Sequence, residues 1–185
     1  IVPLRYQSGC VTISGYDKPT TLYQLALPNQ EIRVGLYGSL LPHYLMDKSA
    51  KANTTIAKMS VFVKKGDMDA AFCLLNDFLE TVPYCDNTHY EGHWQQTLYI
   101  MFALLTNYSI LVEPHTAKGR IDIMMETNDT IYVMELKFNK SAEEALAQID
   151  AKHYADAFKM SGKKVVKIGL NFSVKDEVNS LEWKI

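Results

Sequence analysis

The sequence is poor in the features that would announce a function by composition. Its charge is nearly balanced: 19 Lys and Arg against 21 Asp and Glu leave a formal net charge of −2. Bulk charge therefore does not hold this chain on nucleic acid. No apolar run approaches the ~20 residues that cross a bilayer. Cysteines are few, and Cys10, Cys73 and Cys85 have no metal-ligand spacing. An odd count without a secretory leader points to reduced thiols in a cytoplasm. Cys73 lies in an apolar helical pattern and is expected in the core. Gly35-Leu-Tyr-Gly38 lacks the Lys-Ser/Thr and the preceding strand of a phosphate loop, so ATP binding by this chain alone is not expected. The chain starts at Ile1 rather than Met, which reads as a fragment of something longer.

What is present is an ordinary globular composition, 48% hydrophobic and 22% charged over 185 residues. That is enough for one large or two small domains. Cys10–Ile13 and Thr21–Leu27 read as strands around a loop of turn formers at 14–20. A helix is expected from about Gln30 to Leu41, where Pro42 can end or kink it. Helices follow over 43–82, with Gly66 past the end of one and Asp67 as N-cap of the next. The stretch Val82–Thr88 breaks the pattern and is the candidate domain boundary. A helix from about His89 to Thr106 comes next, with Glu91 on its apolar face. Ile110–Glu113 is a short strand. A helix capped by Ser141 is expected to run to about Met160 with His153 and Ala157 inward. Lys164–Phe172 is a strand, and Leu181–Ile185 another strand or a capping tail. Seven lysines between Lys137 and Lys167 are interspersed with Glu143, Glu144, Asp150 and Asp156, a pattern that reads first as a solvated face.

The chain is organised around Gly119-Arg-Ile-Asp122 through Glu135-Leu-Lys137. Two apolar runs flank Asn128-Asp129, the form of a β-hairpin. With a two-residue turn there, the ladder count places Asp122 opposite Glu135. Opposed residues share a face with Cβ atoms about 4.5–5.5 Å apart. Lys137, two positions on, projects from the same face. Residues 131–138 are apolar on both sides, so the strand is expected to be buried on both. Two facing carboxylates call for a neutralising charge, and a divalent cation would supply it. A Glu–Lys pair at a strand end beside an exposed Asp fits the spacing equally well.

From Glu91 on, the order is helix, three strands, helix, strand, with Asp on the second strand and Glu-X-Lys on the third. This resembles the PD-(D/E)xK nuclease superfamily. Gly119-Arg-Ile-Asp122, Glu135-Leu-Lys-Phe138, Ala142–Ile149 and Tyr154 most resemble the nuclease-like domain at the C-terminus of bacterial AAA-ATPase-like proteins. Residues 1–82 resemble the end of the ATPase part. The superfamily's leading Pro-Asp is absent, since Ile121 precedes Asp122. The resemblance implies a mixed central sheet with an αβββαβ restriction-endonuclease-like core over 83–185. A β-hairpin and helices precede it over 1–82. It implies that Asp122, Glu135, the Leu136 carbonyl and Glu91 hold Mg²⁺ or Mn²⁺, that Lys137 orients water or stabilises negative charge, and that Gln148, with Lys152 as a further candidate, steadies the phosphate or the site. The function implied is a metal-dependent phosphodiesterase on DNA, ahead of RNA, attached to an ATPase domain of the same polypeptide. The competing reading is a non-catalytic DNA-binding or protein-interaction module of the same fold.

Overall fold

The computed structural model describes residues 2–45, 49–82, 91–104, 109–112, 114–116 and 119–185. The elements are α1 (Val2–Gln7), β1 (Thr12–Asp17), β2 (Leu22–Ala26), α2 (Gln30–Leu45), α3 (Ser49–Lys65), α4 (Met68–Leu79) and α5 (Glu91–Ala103), then β3 (Ser109–Val112), β4 (His115–Thr116), β5 (Gly119–Arg120), β6 (Ile123–Glu126), β7 (Thr130–Phe138), α6 (Ala142–Ala151), a 3-10 turn (Tyr154–Phe158), β8 (Lys164–Lys175) and β9 (Val178–Lys184). The main sheet has the order β3-β6-β7-β8-β9. Its β7–β8 pair is parallel and its other pairs are antiparallel. A parallel step needs a crossover, and α6 with the 3-10 turn provides it. From α5 onward this is the αβββαβ order expected from sequence, with β4–β5 inserted before β6 and β9 added at the edge.

Strand β7 is central, and Thr130 to Leu136 are all buried. Its alternation splits the interior in two. Tyr132, Met134 and Leu136 join the larger core with Ile168, Leu170, Phe172 and the helical residues Phe72 and Met101. Ile131 and Val133 face a smaller core with Ile121, Ile149 and Tyr154. Helix α4 closes against the last strand: Trp183 packs on Phe72 at 5.9 Å between ring centroids and donates from Nε1 to Asp69 Oδ1 at 2.9 Å.

Helix α6 approaches the sheet with no side chain between. A Cβ on Gly169 would lie 2.1 Å from the Ala142 carbonyl oxygen and 2.6 Å from the Leu146 nitrogen. Gly169 pairs with Glu135 across the parallel ladder, so this contact sits beside the residue of most chemical interest.

Several local expectations change. Residues 2–7 are helical, and β1 runs on to Asp17 through the expected loop, with its register irregular between Ile13 and Gly15. The turn is shorter because Asp17 Oδ2 accepts from the Thr20 backbone N–H at 3.3 Å. Helix α2 continues through Pro42 to Leu45. Cys73 is exposed, since the buried stripe of α4 runs through Ala71, Phe72, Leu75, Phe78 and Leu79 and leaves position 73 outside it. Cys85 and residues 83–88 of the expected boundary lie outside the described residues. The helix expected to reach Met160 ends at Ala151: His153 is left-handed (φ 52°, ψ 37°) and the chain restarts as a 3-10 turn. His153 and Ala157, expected inward, are exposed, and Tyr154 is buried instead. Asp67 does cap α4, accepting from the Ala70 N–H at 3.0 Å, and Gly66 takes the left-handed φ of 75°.

The Gly169→Ala variant is expected to lose about 3 kcal/mol or more of stability, because the added methyl meets backbone that has no rotamer to yield. Urea unfolding measures this. An unchanged midpoint would contradict the closeness of α6 to β8.

Candidate active site

The site is built on the β6–β7 hairpin. Its turn is closed by Thr127 N–H to Thr130 O at 2.8 Å and by Thr130 N–H to Thr127 Oγ1 at 3.1 Å. Hydrogen bonds from Thr127 and then Thr130 hold the Asp129 carboxyl below its usual range. The start of β8 ties this turn down. Lys163 Nζ donates to Thr127 O at 2.7 Å and pairs with Glu126 at 2.8 Å, and Lys164 N–H donates to Asp129 O at 2.9 Å. The register runs from Glu126–Ile131 to Ile123–Met134, as the two-residue turn requires. The next step of that count is Asp122 with Glu135.

The ladder itself stops at Ile123, one residue short of that step. The Leu136 N–H donates to Asp122 Oδ2 at 2.9 Å. From α5, Gln95 Nε2 donates to the Asp122 carbonyl at 3.3 Å. Asp122 is thus held through its carboxylate and its backbone, by the strand on one side and a helix on the other.

Glu135 is 2% exposed. A carboxylate this deep requires partners, because losing water costs several kcal/mol. Gln148 of α6 donates from Nε2 to Glu135 Oε1. Lys137 Nζ lies 3.5 Å from the same oxygen and donates to the Leu136 carbonyl at 3.1 Å. Gln148 reaches Glu135 because α6 lies directly on Gly169, the ladder partner of Glu135.

Tyr154 completes the cluster. It falls within the family resemblance, which assigns it no role. It is 4% exposed. Burial raises its phenol pKa first, and the Glu135 charge adds to this. A side-chain hydrogen bond with Gln148 and one with the Arg120 backbone act in the opposite direction, with the Asp122 charge again raising. The phenol therefore stays protonated through neutral pH. Stability from this burial is present below the ordinary phenol value, about 10, and is lost as pH rises beyond it. The helix break at His153 that aims Tyr154 inward carries no strong sequence signal.

Of the residues expected at the site, the structure gathers Asp122, Glu135, Leu136, Lys137 and Gln148. Glu91 opens α5, four residues before Gln95, and its side chain lies outside the described residues. Lys152 is the exposed C-cap of α6. Of the neighbouring lysines, Lys159, Lys163 and Lys167 are engaged with Asp156, Glu126 and Asp150.

The donor set suits a hard cation. Two carboxylates and a backbone carbonyl are all oxygen, and Mg²⁺ commonly takes one or two carboxylates and keeps several waters. The Lys137 ammonium already rests on two of these groups, Glu135 and the Leu136 carbonyl, so positive charge is accommodated there. Among the described residues no three His, Cys, Asp or Glu side chains come together. The set is therefore a two-carboxylate one as far as it is described.

Residues 89–183, just over half of the chain, match the family described as the PD-(D/E)XK nuclease superfamily. The chain is also 28% identical over 179 residues to an uncharacterized protein in the vnfD 5′ region of Azotobacter chroococcum mcd 1. That alignment takes in 92% of this chain and 34% of the relative, so the chain spans about a third of the relative's length.

In metal-free buffer, Lys137→Met should cost roughly 3 kcal/mol by leaving the buried Glu135 without its cation. The Lys137→Met/Glu135→Gln double variant should be less destabilised than the sum of the single variants. Additive losses in chemical denaturation would mean that the two side chains do not interact.

Proposed function

The chain belongs to the PD-(D/E)XK nuclease superfamily, and from that premise we propose that it is a metal-dependent nucleic-acid phosphodiesterase module, acting on DNA ahead of RNA. The observation that carries this is that Lys137 and Gln148 meet on one oxygen of the Glu135 carboxylate while the Asp122 carboxylate is held at the next residue, on the Leu136 N–H. Asp122, Glu135 and the Leu136 carbonyl are the ligands of Mg²⁺ or Mn²⁺ in this reading, with Glu91 as the further one from α5. A bound ion would supply a nucleophilic water at neutral pH and offset charge on the phosphoryl oxygens.

The chain's own residues do the remaining work. The Leu136 N–H fixes the Asp122 carboxylate, so it needs no reorganisation to bind. Gln148 orients Glu135 in the same way. Lys137 brings an ammonium to where negative charge develops as water attacks phosphorus, which is electrostatic stabilisation by a preplaced donor. The balanced net charge suits a substrate held locally rather than by a wide basic field. The module is read as part of a larger AAA-ATPase-like protein, with residues 1–82 as the end of the ATPase-type region and 83–185 as the nuclease-like domain. The aligned relative is about three times as long as this chain, which leaves room for a further region beside the module.

A second reading has one observation in its favour. Lys137 neutralises Glu135 internally, which a non-catalytic DNA-binding or interaction module of the same fold would also require.

Incubation with linear, nicked and branched DNA in Mg²⁺ or Mn²⁺ decides between them. Cleavage is expected, with Asp122→Ala and Glu135→Ala each lowering the rate on the order of 10²-fold or more. Variants that cut as well as wild type would remove the nuclease reading. In calorimetry, saturable Mn²⁺ binding should be lost in Asp122→Asn, and absence of binding to wild type would favour the non-catalytic module.

A further inference from the structure

Gly119 and Tyr154 are separated by 35 positions in sequence and meet at the site. A Cβ on Gly119 would lie 3.0 Å from the Tyr154 hydroxyl oxygen and 3.3 Å from Cε1 of its ring. Gly119 also has a φ of 141°, which side-chain-bearing residues rarely adopt. The missing side chain is thus the space into which the phenol fits. The hydroxyl lies within reach of the Gln148 side chain and of the Arg120 backbone. Gln148 in turn donates to Glu135. An unbroken line of contacts runs from Gly119 through Tyr154 and Gln148 to the buried carboxylate. A glutamine near the end of a helix has several rotatable bonds and no reason to stay on one partner, so a second hydrogen bond removes that freedom.

We propose that Tyr154 is a positioning residue. Seated in the gap that Gly119 leaves, its hydroxyl fixes the Gln148 amide and through it the orientation of the Glu135 carboxylate. This accounts for the first residue of Gly119-Arg-Ile-Asp122, which has no ligand chemistry of its own. The metal-binding part of the consequence rests on the reading of Glu135 as a ligand, whereas the orientation of Gln148 does not.

The test uses Tyr154→Phe, which keeps the ring and removes the hydroxyl, and Gly119→Ala, which keeps the hydroxyl and fills its seat. Both are followed by NMR of the side-chain amide of Gln148 in metal-free protein, its resonance identified by its loss in Gln148→Met. In wild type this amide should exchange slowly with solvent. In Tyr154→Phe it should shift and exchange severalfold faster, up to about tenfold for the loss of one hydrogen bond, while backbone amides of β7 keep their wild-type protection. Gly119→Ala should move the same resonance. Calorimetry should then give weaker Mn²⁺ binding by Tyr154→Phe, by roughly tenfold or more. An unchanged Gln148 amide in Tyr154→Phe overturns the proposal whatever the protein binds. Wild type that binds no Mn²⁺, with the amide still responding to Tyr154→Phe, leaves the positioning role standing and removes the metal-dependent reading instead.

Discussion

The backbone of α6 rests on Gly169 with no side chain in between, and the site depends on that contact. Helix–sheet packing normally keeps the helix clear of the strands by the thickness of the intervening side chains. Here one position on β8 is left without any, and that position is the ladder neighbour of Glu135. The helix therefore settles where an amide on its last turn can reach a carboxylate on β7. The capping of α6 follows the same design. Ser141 Oγ accepts from the Glu144 N–H at 3.1 Å, and Glu182 of β9 takes the Ala142 N–H at 3.2 Å. Asn171 of β8 binds both the N–H and the carbonyl of Lys140 at 2.9 Å. Both neighbouring strands thereby fix the height at which the helix begins.

Each ionised group at the site has a partner built into the fold. Glu135 is too deep to rely on water, and its partners are an amide and an ammonium from its own fold. Asp122 is spared burial of an unpartnered carboxylate because the ladder ends just where the Leu136 N–H needs an acceptor. Two carboxylates and one ammonium leave one negative charge over, which a bound divalent cation would offset.

The hairpin could be read from sequence because its information is local. Parity of a β-ladder and a two-residue turn suffice to bring position 122 to position 135, and the register agrees with that count from Glu126 to Ile123. Asp67 and Ser141 announced their helices for a similar reason, since a cap acts within four residues. The features that escaped are those decided at a distance. Cys73 sits beside a buried stripe rather than in it, a difference of one residue set by how α4 leans on β9. The break at His153 accompanies the turn of Tyr154 into the smaller core, and the apolar pattern of 154–158 alone continues a helix well enough. The role of Gly119 could not be seen without knowing that a tyrosine 35 residues later returns to it.

The turn at Asn128-Asp129 is closed by two threonines and strapped by Lys163 and Lys164, which makes the hairpin a counting device. What it counts is odd or even. Two residues added to the turn would lengthen the loop and leave Asp122 in step with Glu135. A single added residue carried into the ladder would send every side chain of β6 to the opposite face. A lineage could therefore silence such a site by one codon in a surface loop, with every residue of the site still present in the sequence. An inventory of motif residues would call that protein intact, and only the spacing between them would reveal that it is not.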